Sequence, residues 1–150
     1  MIRRDADIRD LKQIQDLLHS VELPADDCAD HLQNFFVFEE PAGIVAVGGL
    51  EVCGTFGLVR SIAVAPSHRS SGLAKQVIRF IEDRALSLNI NQIYLLTESA
   101  TEYFHRQGFT VLERSDIPDP IRQTRQYTEL CPASAQVMFR KLDHSSRLAE

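Results

Sequence analysis

Val64-Ala65-Pro66-Ser67-His68-Arg69-Ser70-Ser71-Gly72-Leu73-Ala74 is the stretch on which the fold turns. Before it, Leu58-Val59-Arg60-Ser61-Ile62-Ala63-Val64 is rich in branched apolar residues and reads as a strand closed by Pro66. After it, Leu73, Val77, Phe80, Ile81, Arg84 and Leu88 fall on one stripe at helical spacing, so an amphipathic helix of about four turns begins at once. Small residues at Ser70, Ser71, Gly72 and Ala74 leave successive main-chain N–H groups uncovered at the start of that helix. Those donors, with the positive end of the helix dipole, suit a diphosphate. Arg69 adds a cation at the rim, and Gly72 lets an anion come close. A serine-capped helix after an ordinary loop is the plainer alternative. Neither the dinucleotide GxGxxG pattern nor the Walker GxxxxGKS/T pattern is present.

Working outward, Ile8, Leu11, Ile14, Leu17 and Leu18 place a first helix over residues 6–20. Pro24 and the acids Asp26 and Asp27 read as the start of a short second helix ending near residues 31–33. Strands are expected over 35–38 and 44–51, joined by a turn at Glu40-Pro41-Ala42-Gly43. On the other side, 93–96 is a short all-apolar strand, and a helix through Tyr103 and Phe104 stops at Gly108. Residues 109–112 and 135–140 read as further strands, and 116–126 as an irregular segment with two prolines. Hairpins followed by a strand-helix-strand-helix-strand series imply an α/β (α+β) fold with a mixed central sheet of about seven strands. One domain over residues 1–142 and a polar tail over 143–150 are expected.

The chain has 150 residues, 16 basic and 21 acidic, for a net charge of -5. That balance argues against a nucleic-acid or anionic-membrane surface, although Arg60, His68 and Arg69 would form a local positive patch. The first residues, Met-Ile-Arg-Arg-Asp-Ala-Asp, carry no apolar run of the secretory kind, and no run approaches the roughly 20 residues of a membrane span. Cys28, Cys53 and Cys131 form no CxxC pair, so neither a redox nor a zinc motif is indicated, and a reducing, cytoplasmic setting is expected. No HxxxH or HExxH spacing exists, and no metal site is expected.

Arg69-Ser70-Ser71-Gly72-Leu73-Ala74 resembles the R/Q-x-x-G-x-G/A motif of the GNAT superfamily of N-acetyltransferases. The preceding strand, Ile93-Tyr94-Leu95-Leu96-Thr97 and Phe104-His105-Arg106-Gln107-Gly108-Phe109 resemble other parts of that core in order and spacing. Within it, Leu58-Val59-Arg60-Ser61, Pro120-Ile121-Arg122 and Leu130-Cys131-Pro132-Ala133-Ser134-Ala135 are most similar to arsenic-resistance N-acetyltransferases, relatives of the acetyl-transfer domain of N-acetylglutamate synthases. The resemblance implies acetyl-CoA as co-substrate, bound in a V-shaped cleft between two splayed central strands. Amides around Ile62, Ala63 and Val64 would pair with the pantetheine arm, those of Ser70 to Ala74, with Leu73, would hold the diphosphate, and Phe104 would pack beside the coenzyme. It implies a direct ternary complex with a small-molecule amine acceptor, in a monomer or homodimer.

Acetyl transfer requires an unprotonated amine held about 3–3.5 Å from the thioester carbon, an oxyanion donor, a base and an acid. A backbone N–H near Ile62 is the oxyanion donor the resemblance implies. Glu51, closing the strand next to the coenzyme strand, is the first candidate for the base, and Glu98 the second. Many family members carry a tyrosine four residues before the Gly-Phe pair, where this chain has Phe104. Tyr103, one residue earlier, is turned by about 100° on a helix, so it does not simply inherit the role. Tyr103, Thr97, Ser99 and solvent remain as proton sources, and the departure keeps open a weakly catalytic acyl-CoA sensor. Arg60, alone in an apolar strand, requires an anionic partner: an acceptor carboxylate held bidentately, or an internal acid. Arg122 and Arg125 would serve an acceptor carboxylate too, and Cys131 would meet a soft ligand such as trivalent arsenic if folding gathered the three thiols, which otherwise read as small buried hydrophobes.

Overall fold

The computed structural model describes residues 1–130 and 133–143. The chain forms two compact units, one of Met1–Glu51 with Val59–Arg84 and one of Val52–Leu58 with the chain from Ala85 onward.

In the first unit, β1 (Ile2–Asp5) pairs antiparallel with β2 (Phe35–Glu40), and β2 pairs antiparallel with β3 (Gly43–Cys53). β3 neighbours β4 (Phe56–Val64). Strand periodicity sorts β2 into two faces. Phe35 and Val37 join Ile14 and Leu18 of α1 (Leu11–Ser20), Leu32, Val47 and Ala63 in one core. Phe36 and Phe38 meet Phe80 of α2 (Leu73–Ser87) at ring distances of 6.1 and 6.0 Å. On that same face Gly48 leaves room for Val77 and Ile81.

The second unit is built on β5 (Gln92–Thr97), whose apolar run is buried as its composition requires. β5 runs parallel to the start of β4, with Gly57 opposite Ile93 and Leu58 opposite Tyr94, and antiparallel to β7 (Gln136–Lys141). β7 in turn pairs with β6 (Thr110–Val111). Tyr94 is the hub of this core, 5.8 Å from the Phe56 ring and 5.2 Å from that of Phe139. Ile117, Val137, and Ile121 of α4 (Asp119–Arg122), close around it. α3 (Thr101–Arg106) ends where Gly108, at φ 96, takes the left-handed conformation that reverses the chain and buries Phe109. The mixed sheet of seven strands expected from the sequence is present, in the order β1-β2-β3-β4-β5-β7-β6.

Three elements differ from expectation. β1 was not foreseen, because Ile-Arg-Arg-Asp has no apolar alternation. Arg4 ties it down, donating to both carboxylate oxygens of Asp10 at 2.8 Å and to Glu39, while Arg3 lies 4.7 Å over the Phe80 ring. The second helix is a 3-10 turn over Cys28–Asn34 that begins after the acids rather than at Pro24. The irregular segment contains α4 and a wide turn over Gln126–Leu130, and Arg114 pins it by donating to the carbonyls of Ala133 and Ala135. The tail expected over 143–150 lies, after Asp143, outside the described residues. Among the described residues no helix is long and apolar enough to cross a membrane.

Gly49 has the fully buried Phe35 ring packed directly over its α-carbon, inside the distance any β-carbon requires. Replacing Gly49 by Ala should therefore lower the unfolding free energy by about 1–3 kcal/mol, the usual cost of overpacking a core. Urea denaturation of the two proteins checks this.

Candidate functional site

The junction between β4 and α2 is shaped by left-handed backbone and by His68. Pro66–His68 form one 3-10 turn, and Arg69 is extended. Ser70 and Gly72 then take φ 65 and 82. The His68 ring lies 2.8 Å from the Ser67 hydroxyl and 2.8 Å from Glu40, and its carbonyl accepts the Ser71 hydroxyl. The first amide of α2 to find a helical acceptor is that of Gln76, which reaches the Gly72 carbonyl at 3.2 Å. Among the described residues, no protein acceptor meets the amides of Ser70, Ser71, Gly72, Leu73 or Ala74. A β-carbon on Gly72 would meet nothing within 4 Å, so the space before these donors is open. Ser70, Ser71, Gly72 and Arg69 are exposed, and Ala74 is half-buried. Leu73 turns its side chain into the core and offers only its amide. Open main-chain donors at the start of a helix have the geometry that suits an anion.

The strand before it is bulged. Ser61 sits in β4 at φ 59, a conformation that a non-glycine residue adopts only where the surroundings impose it. The parallel ladder between β5 and β4 is registered only at Gly57 and Leu58, before the bulge. Ile62 and Val64 are half-buried and Ala63 is buried in the α1 core.

Arg60, immediately before the bulge, is buried and fully committed to internal acids. Its Nη1 donates to Asp27 Oδ2 at 2.8 Å and to Glu51 Oε1 at 2.9 Å. Its Nη2 donates to Asp27 Oδ1, and its Nε to the Ser61 hydroxyl at 3.3 Å. Of the two partners open in the sequence, the internal one is realised, so Arg60 is not available as the anchor for an acceptor carboxylate. The positive patch expected from Arg60, His68 and Arg69 also fails, because Arg60 is neutralised in the interior and His68 is paired with Glu40. Burial works against the charge of both Asp27 and Arg60, but their mutual hydrogen bonds and attraction prevail. The Asp27 carboxyl is held below the usual carboxylate range and the Arg60 guanidinium is raised.

Two members of this cluster were missed. Asp27 was read as a helix-start acid and His31 was not singled out. Yet His31 Nε2 lies 3.6 Å from both Asp27 Oδ2 and Glu51 Oε1. The signal was the lone arginine of an apolar strand, which required an acid, but three acids (Asp26, Asp27 and Asp30) crowd one short stretch and spacing does not choose among them. Asp27, His31 and Glu51 each bring one ligand atom within 4.8 Å of the others, a grouping a cation would favour, and Arg60 is the cation that fills it.

The remaining candidates belong to the second unit. Thr97 Oγ1 accepts the Ala100 amide at 3.0 Å and so shapes the entry to α3. Tyr103 is half-buried, and burial pushes its phenol up. Phe104 packs edge-on against Phe109, at 5.8 Å, and against Tyr103. Glu98 is exposed and accepts from the Ser134 hydroxyl. Arg122 donates to the Arg114 carbonyl, and its Nε is buried without a hydrogen-bond partner among the described residues, whereas Arg125 pairs with Glu129. Cys28 and Cys53 are buried in separate apolar clusters, and burial pushes the Cys28 thiol up. Cys131 lies outside the described residues.

A mixed seven-strand sheet, with a bulged strand leading into a helix whose first amides are uncommitted, defines the acyl-CoA N-acyltransferase fold. Residues 31–111 match the acetyltransferase (GNAT) domain family, and the chain belongs to that family. Its backbone is similar to that of N-acetylglutamate synthase from Neisseria gonorrhoeae complexed with coenzyme A and N-acetyl-glutamate. The TM-score is 0.83 and the identity 19%, over 95% of this chain and 35% of that one. A Mycobacterium tuberculosis protein in complex with CoA and NLQ gives a TM-score of 0.78 at 22% identity, over 95% of this chain and 100% of the other. Both likenesses concern the fold. The amino-acid acetyltransferase of Pasteurella multocida is 33% identical over 66 residues, 44% of this chain and 15% of that protein. That of Mannheimia succiniciproducens is 23% identical over 83% of this chain and 30% of the other, so the chain spans less than a third of these curated relatives.

Asp27→Asn removes one charge from the buried cluster and should lower stability at neutral pH by about 3–5 kcal/mol. Because the folded protein holds the Asp27 carboxyl low, its contribution is complete above the ordinary carboxylate value of about 3.9 and disappears as pH falls through the lower folded value. Urea titrations between pH 7 and pH 3 should show a flatter acid side for the Asn variant than for the parent.

Proposed function

We propose that the chain transfers an acetyl group from acetyl-CoA to the amino group of a small, amino-acid-like acceptor, in a direct ternary complex. The observation that carries this reading is the row of uncommitted amides over residues 70–74 at the start of a 15-residue helix. The main-chain donors and the helix dipole hold the diphosphate, with Arg69 at the rim. The bulge at Ser61 leaves the amide of Ile62 to stabilise the oxyanion, and Ala63 and Val64 continue the pantetheine track. Glu51 takes one proton from the acceptor ammonium, directly or through one water. The neutral nitrogen attacks the thioester carbon, the C–N bond forms and the C–S bond breaks; the attached nitrogen gives its surplus proton to solvent, and the thiolate takes one from solvent or from Tyr103, whose burial keeps the phenol protonated at neutral pH and which solvent then reprotonates.

The acceptor class follows the relatives, whose names speak of amino acids and of N-acetyl-glutamate. With Arg60 committed internally, Arg122 becomes the side chain we assign to an acceptor carboxylate, because its Nε has no hydrogen-bond partner among the described residues. The similarity to arsenic-resistance acetyltransferases stays a resemblance, and two thiols buried in separate clusters weigh against a three-thiolate metalloid site.

Titration calorimetry with acetyl-CoA should give one site per chain, and Gly72→Glu, which fills and charges the open space before the amides, should lower affinity at least 100-fold. Equal affinity for both proteins would overturn the placement. Release of free CoA in the presence of the twenty L-amino acids and putrescine should identify an acceptor. Tight coenzyme binding with no turnover above hydrolysis would point instead to a sensor.

A further inference from the structure

We propose that His31 is the relay through which the proton collected by Glu51 leaves the site; this deepens the acetyl-transfer reading and rests on it. Four ionisable groups meet here. Asp27 stands four residues before His31, on the approach to the same 3-10 turn, Glu51 comes from β3, and Arg60 from β4. Cys28 and Asp26 lie in the same field. The His31 ring presents Nε2 to both carboxylates at once, 3.6 Å from each, so it stands where it can take a proton from Glu51. The positions say where that proton enters and leaves. The side chains of Asp27 and Arg60 are each 1% exposed, Glu51 is 12% exposed and His31 25%. His31 is thus the member open to solvent, and its Nε2, 3.6 Å from Glu51 Oε1, needs only a small ring movement to form a hydrogen bond.

The nitrogen sheds two protons in all. The one lost after attack offsets the proton taken up by the departing thiolate; the other, lost by the acceptor ammonium before attack, goes to the Glu51 carboxylate, which becomes a carboxylic acid. That acid passes its proton to neutral His31 Nε2, the carboxylate is restored, and the imidazolium gives the proton to water. An imidazole suits the last step because a ring nitrogen can accept a proton and, once protonated, donate it. Arg60 and Asp27 act as positioning residues, fixing the Glu51 carboxylate against β4 so that it faces the same partner in each cycle.

The test has two arms. In the first, the pH dependence of kcat is measured for the parent and His31→Gln, with acetyl-CoA and the L-amino acid turned over fastest in the panel above. His31→Gln should lose at least tenfold in kcat at pH 7 with KM for acetyl-CoA unchanged, and its acid limb should move. Added imidazole should restore part of the rate to His31→Ala. In the second arm, which needs no turnover, the ring resonances of His31 are recorded by NMR at pH 7, and Glu51→Gln should displace them through loss of the neighbouring carboxylate. An unchanged kcat profile in His31→Gln overturns the relay while leaving acetyl transfer intact. Unmoved His31 resonances in Glu51→Gln overturn it as well. If the resonances move but no amine is acetylated, the acetyl-transfer reading is the one that fails, and the relay falls with it.

Discussion

A guanidinium in the middle of an apolar strand constrains everything near it. Arg60 does not give up its proton at any ordinary pH, so its burial in β4 requires anionic partners brought to it. Asp27 arrives from 33 residues upstream and Glu51 from the end of the neighbouring strand. The 3-10 turn over Cys28–Asn34, the end of β3 and the bulge in β4 are thereby tied to one another by directional bonds, where apolar contact alone would let them slide. Ion pairs of this kind seldom add net stability over a well-packed apolar core. What this one contributes is orientation: a carboxylate held at a fixed angle to the strand that leads into the anion loop.

The bulge and the loop share a second constraint, conformational rather than electrostatic. Ser61, Ser70 and Gly72 all take positive φ, a conformation no regular helix or strand uses. Only one of the three is a glycine, so the strain at the two serines is held by their surroundings: the Arg60 Nε at Ser61, and the His68 clamp with the Ser71 hydroxyl beside Ser70. A site made of main-chain donors asks for small size and backbone conformation, not for particular side chains.

The same distinction decides what was legible in the sequence. Helix α2, strands β2 to β5 and the anion loop were readable because each is written in local periodicity or local residue size. The Gly108 stop and the burial of β5 were readable for the same reason. β1 was not, because its hold comes from Arg4 reaching Asp10 and Glu39, partners that only the folded chain brings together. The need of Arg60 for an acid was legible, but the identity of that acid was not, and His31 carried no local mark. The ordered turn over Gln126–Leu130 was likewise hidden, since it is held by the Tyr127 amide and the Thr128 hydroxyl donating back to Thr124, and no apolar periodicity marks it.

Phe104 stands where the resemblance to N-acetyltransferases implies a tyrosine. Phe104 faces the buried Phe109 ring, and the adjacent Tyr103 ring is inclined to it by 78°, so the two side chains of neighbouring residues do not substitute for one another. α3 therefore spends the Phe104 side chain on packing. A thiolate is a fair leaving group and tolerates a weak or solvent-borne acid, whereas an ammonium must lose its proton before it can attack at all. In the proposed reaction the burden of proton management therefore falls on the amine side, where Glu51 stands with Arg60, Asp27 and His31.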